Sequence, residues 1–164
     1  MRIWVLGPVI LYTALLRAGV NDRGVVPGTP FHRYTTEDRS VGTVTFYLSE
    51  PQTQRPAPLA VFVQGTGCSS HFYRQDAQIH QRAAALLYAA VRGRARVLAV
   101  EKPGVQFLDN QPDAADAKTC RPEFLAGHTL DRWTETIVAS IEAAQHLPPR
   151  LLLEELRSGG LRVG

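Results

Sequence analysis

Cysteine and methionine are scarce: the 164 residues hold two Cys, Cys68 and Cys120, and one Met. The cysteines stand 52 positions apart, with no CxxC pair and no His at ligand spacing. No zinc site or other metal centre is therefore indicated, and one disulfide or two free thiols remain open. Runs of one charge are lacking as well. Eighteen Lys+Arg against 15 Asp+Glu leave +3, and the basic residues gather no further than Arg92, Arg94 and Arg96, so there is no electrostatic footprint for nucleic acid. A membrane-length apolar run is missing. Trp4 to Leu16 is 13 residues long and is interrupted by Gly7-Pro8, short of the roughly 20 residues that a spanning helix needs. It has the length of a secretory h-region without an Ala-x-Ala cleavage site, so residues 1–27 read either as a signal-like segment or as a poorly ordered start.

What is present is ordinary globular composition. With 45% apolar residues, 13 Gly and 11 Pro, fibrous and fully disordered readings are excluded and one domain is expected. Phe31 to Thr36 and the near-alternation of Val41, Val44, Phe46 and Leu48 predict two paired strands. The three prolines of Pro51 to Pro58 predict a loop. Leu59 to Val63 is a continuous apolar run of strand length that stops at Gly65-Thr66-Gly67, the mark of a buried parallel strand. The stretch from Phe72 to Val91, with Ala83, Ala84, Leu86, Leu87, Ala90 and Val91, predicts a helix ending near Gly93. Arg96 to Val100 predicts a second buried strand, opening after Lys102-Pro103-Gly104 into a long loop. Thr129 is placed to cap a helix in which Leu130, Trp133, Ile137, Ile141 and Ala144 keep helical spacing up to Pro148-Pro149. This order of elements implies an α/β fold: a mostly parallel sheet with helices on both faces and an antiparallel hairpin at its start.

The segment Gln64-Gly65-Thr66-Gly67-Cys68-Ser69-Ser70 follows a buried strand, and backbone amides at such a turn can converge on negative charge, either a phosphate or the oxyanion of acyl transfer. Neither the Rossmann glycine pattern nor Gly-Lys-Ser/Thr is present, which weakens the nucleotide reading and leaves no cofactor indicated. Val61-Phe62-Val63-Gln64-Gly65-Thr66-Gly67, then Val97-Leu98-Ala99-Val100-Glu101-Lys102-Pro103-Gly104-Val105, then a helix ending in Pro148-Pro149-Arg150-Leu151-Leu152-Leu153, resembles the N-terminal half of the α/β-hydrolase superfamily over residues 30 to 153. The resemblance implies a partial three-layer α/β-hydrolase-like sandwich over residues 28–153 and a serine hydrolase acting on a small-molecule ester or related acyl substrate. It implies an oxyanion hole at the amide of Thr66 or Gly67.

The same resemblance implies a nucleophile elbow, Gly-x-Ser-x-Gly, after the next strand. Leu156-Arg157-Ser158-Gly159-Gly160 keeps the Ser, making Ser158 the candidate nucleophile, but places Leu where a small residue belongs. Glu154 and Glu155 put carboxylates on both faces of what should be a central strand. Residues 154–164 thus form an atypical tail, and the three departures within about ten residues suggest one shift of the encoding frame near Leu153. The expectation is a truncated chain without the family's acid and histidine, inactive alone. His32, His71, His80, His128 and His146 all precede Ser158, and none is assigned as its base. If the third and fourth family strands are neighbours, as the resemblance implies, Cys68 and Cys120 emerge on one side of the molecule, which makes a disulfide geometrically plausible, with two buried thiols as the alternative. Together with the signal-like start this tilts localisation slightly toward the periplasm or secretion. The alternative function is a non-catalytic binding module using Gly65-Thr66-Gly67.

Overall fold

Strand β3 (Gly42–Ser49) carries the alternation seen in its sequence: Val44, Phe46 and Leu48 are buried against one layer, and Tyr47 against the other. It pairs with β2 (Phe31–Asp38) over the full length from Phe31↔Ser49 to Asp38↔Gly42. The computed structural model describes residues 19–51, 56–65, 67–109 and 120–148. Besides β2 and β3, they form β1 (Asn21–Val25), β4 (Leu59–Phe62), β5 (Phe72–Gln75), β6 (Gln78–Gln81) and β7 (Arg96–Val100), and the helices α1 (Ala84–Val91), α2 (Pro122–Gly127) and α3 (Leu130–His146).

The main sheet has the order β1-β2-β3-β7-β4. The expectation of a mostly parallel α/β sandwich is overturned. β1 with β2, β2 with β3 and β3 with β7 are antiparallel, and only β4 with β7 is parallel. The reason lies in the connections. The links from β1 to β2 and from β2 to β3 are short, and a short link can only return the chain antiparallel. A parallel pair needs a crossover of a dozen residues or more, which only the segment from β4 to β7 supplies.

The stretch from Phe72 to Val91 is also corrected, because only its second half is helical. Its first half forms a separate two-stranded ladder, Phe72↔Gln81 to Gln75↔Gln78, turned by Asp76 at φ +47° and Ala77 at φ +63°. Phe72 is fully buried on one side of that ladder, and Tyr73 stacks on His80.

The helices cover opposite faces of the main sheet. Trp133, Ala143 and Ala144 of α3 meet Tyr34, Val44, Phe46, Leu48, Leu98 and Val100. On the other face, Ala84, Leu87, Tyr88 and Val91 of α1 meet Tyr47, Val97 and Ala99. That double cover explains why every residue of β7 is buried, each large apolar side chain contributing about 1.5–3 kcal/mol. Thr129 caps α3 by accepting from the Arg132 amide. Its other end is held by Arg96, whose Nη1 donates to the carbonyls of Ala144 at 3.2 Å and Leu147 at 2.9 Å. Among the described residues, no helix is long and apolar enough to cross a membrane.

Candidate functional site

Because β4 and β7 run parallel, with Val61 opposite Leu98 and Phe62 opposite Ala99, the chain leaves both strands at the same edge of the sheet. The loop after β4 therefore meets the residues after β7. Lys102 Nζ donates to the Gly67 carbonyl. Glu101 Oε1 accepts from three groups: the Ser70 hydroxyl, the Tyr47 hydroxyl at 2.8 Å and the His71 amide at 3.2 Å. Ser70 N donates to Asp109 O at 2.9 Å, and Gln64 Nε2 donates to Ser69 O at 3.2 Å. Cys68 is joined by a disulfide to Cys120, just before α2. Closing a loop of 52 residues in this way is worth about 4 kcal/mol through the unfolded chain's entropy. The segment Gly67–His71 is thus gripped from β3, from the β7 end, from Asp109 and from Cys120.

The amides of Gly67, Cys68 and Ser69 donate to no acceptor among the described residues. Gly67 has φ +103°, a backbone turn of the kind that lets consecutive N–H groups form an anion-binding nest.

Two opposite charges were drawn into the interior to build this grip. Glu101 and Lys102 are each only 2% exposed. Burial pushes the Glu101 carboxyl up to about 7, with the donors from Ser70, Tyr47 and His71 and the Lys102 ammonium opposing it. Burial lowers Lys102 to about 8, and Glu101 opposes that shift. Burial also pulls His71 down to about 4, with the Val100 carbonyl resisting and Lys102 adding to it. Tyr47 is held far above the ordinary phenol range by burial and by the Glu101 charge.

Of the residues singled out in the sequence, Thr66 and Ser158 lie outside the described residues, as does the tail 154–164. Gly67, Cys68 and Cys120 are brought together. Among the described residues, no histidine ring is hydrogen-bonded to a serine, threonine or cysteine side chain. His71 is fully buried; its Nε2 lies 2.8 Å from the Val100 carbonyl and so must donate, and its Nδ1 has no partner among the described residues. His80 stacks on Tyr73, His128 stacks on Phe124, and His32 lies 4.0 Å from Asp22. Ser70 is fully buried and donates to Glu101, which makes it a strut of the loop.

Tyr47, Ser70 and Lys102 were not legible as site residues. The available signal was Glu101-Lys102 itself, two charges directly following an all-apolar strand. Among the described residues, no three His, Cys, Asp or Glu side chains gather as metal ligands would. Compared with known proteins, the chain matches no family model, no curated protein and no solved structure.

Proposed function

We propose that this chain supplies the oxyanion-holding loop of a serine-hydrolase-type acyl-transfer site, related to the α/β-hydrolases and acting on esters or similar acyl compounds. The observation that carries the reading is the set of amides at Gly67, Cys68 and Ser69 that donate to no acceptor among the described residues, on a loop held on several sides. Preorganised N–H groups of this kind stabilise a developing oxyanion because they need no reorientation when charge appears. Further support comes from the parallel pairing of Val61 with Leu98, the neighbour relation that the resemblance requires. Thr66 shares the role by position, and Ser158 is the proposed nucleophile.

The test is a titration of the ¹⁵N-labelled full chain with methylphosphonate, a stable tetrahedral anion, followed by nitrophenyl acetate turnover. Saturable shifts at the Gly67, Cys68 and Ser69 amides are expected, and unmoved signals there would overturn the reading. Turnover that disappears in Ser158→Ala assigns the nucleophile, whereas turnover that survives the substitution removes Ser158 from it. Anion binding without turnover fits the expectation of a chain inactive alone as well as the second reading, a non-catalytic anion-binding module.

A further inference from the structure

A second feature lies on the α3 side of the sheet, separate from the loop amides. Between α2, α3 and the turn joining β2 to β3 is a cleft of about 320 Å³, within the size range of small-molecule sites. Two cations reach it, Lys102 from the β7 end and Arg132 from the first turn of α3.

Neither cation has a carboxylate within 4.0 Å among the described residues, whose ion pairs are His32–Asp22, Arg96–Glu50 and Arg121–Asp109. Arg132 Nη2 donates to the Val41 carbonyl at 3.1 Å, while its Nε and Nη1 donate to nothing in those residues. Lys102 spends one proton on Gly67 O and has two in reserve. Two acids also border the cleft. The Glu101 carboxylate is turned to Tyr47, Ser70 and His71, and Glu123 is exposed at the rim. The cleft therefore presents the guanidinium fork of Arg132 with no carboxylate in contact, beside a Lys102 ammonium whose charge Glu101 partly offsets.

The rest of the lining selects the ligand further. Val44, Val105, Pro103 and Ala126 supply the apolar part of a lining that is otherwise mostly polar, with Thr43, Thr45 and Thr136. The volume is about ten times a water's share of the liquid, roughly 30 Å³, so a bare inorganic anion would leave that apolar part wet. We infer that this cleft binds a small organic carboxylate, its head forked on Arg132 beside Lys102 and its carbon chain laid against Val44 and Val105. A planar carboxylate matches the free Nε and Nη1 of Arg132 in a two-bond pairing that an ammonium or an amide cannot copy.

The experiment is a ¹H–¹⁵N titration of the full chain with hexanoate, succinate, hexanamide and inorganic phosphate in turn. Saturable shifts are expected at the Gly104 and Gly127 amides and at Arg132 Nε with hexanoate or succinate below about 20 mM. Hexanamide should give no such shifts, and phosphate, which can also fork on Arg132 but has no carbon chain to cover Val44 and Val105, should bind at least about tenfold more weakly. Arg132→Gln should weaken the carboxylate about tenfold or more. Hexanamide binding as well as hexanoate, phosphate binding as well as succinate, or no saturable shift would each overturn the inference. The wild-type series stands alone should Arg132→Gln fail to fold, because Arg132 also holds Val41. The inference does not rest on the oxyanion reading, whose signals are at Gly67, Cys68 and Ser69.

Discussion

Replacing Glu101 by Gln removes a titration while keeping an acceptor at Oε1 for Tyr47, Ser70 and His71. In the folded protein the carboxyl ionises near 7 in place of its ordinary 4.5. The folded state therefore keeps a proton that the unfolded chain has released, and this contribution is complete below 4.5 and is lost as pH rises to about 7. At about 1.4 kcal/mol per tenfold change in proton concentration, the loss amounts to about 3 kcal/mol.

His71 has the opposite sign. Lowered from 6.5 to about 4, it contributes fully above 6.5 and loses its contribution as pH falls toward 4, because the unfolded chain then takes up a proton that the folded one refuses. Between pH 4.5 and 6.5 the two slopes oppose each other in the wild type, and in Glu101→Gln the His71 slope stands alone. Urea denaturation followed by the fluorescence of buried Trp133, repeated from pH 4.5 to 8, reads both curves. Groups that do not feel the Glu101 charge cancel in the difference, and Lys102, which does feel it, titrates mainly above this range, so the stability of the variant relative to wild type should rise by about 3 kcal/mol between pH 4.5 and 7. Curves that stay parallel across that range would refute the placement of an unneutralised carboxyl beside Ser70 and Tyr47.

Two further substitutions test the backbone that carries the site. Gly104 has φ +79°, and a Cβ there would lie 2.5 Å from Phe124 Cα and N and 2.6 Å from Glu123 C. Gly104→Ala should therefore cost about 3 kcal/mol in urea denaturation, since both the left-handed backbone and the α2 main chain resist it; a cost near zero would mean that α2 does not pack on this turn. Ala77 sits at φ +63° in the tight turn between β5 and β6. Ala77→Gly should raise stability by about 1 kcal/mol, because glycine takes that conformation without a Cβ clash, and unchanged or lower stability in the same assay would contradict the hairpin.

Where local pattern carried the structure, it was legible. Arg96–Val100 reads as a strand because both of its faces are covered, so apolar residues follow one another without alternation, whereas Leu59–Phe62, at the edge of the sheet, packs on both faces but is only half-buried. The bounds of α3 followed from the Thr129 cap and from Trp133, Ile137, Ile141 and Ala144 at helical spacing. Four elements escaped, β1, α2 and the two strands of the 72–81 hairpin. β1 is mostly polar and exposed and shows no alternation. The six residues of α2 are too few to display a period. The hairpin at 72–81 carries Asp-Ala where a tight turn would normally signal itself with glycine.

Sequence alone therefore determined the strong elements and the glycine-bearing loop after β4, because composition and periodicity are properties of neighbouring residues. Strand direction in the sheet, the Cys68–Cys120 link and the convergence on Glu101 were decided only in three dimensions. Tyr47 stands 54 positions from Glu101 and Ser70 stands 31, separations that no spacing rule connects. A carboxylate's affinity for its proton depends on the donors and the burial that packing gathers around it, not on the residues beside it in the chain.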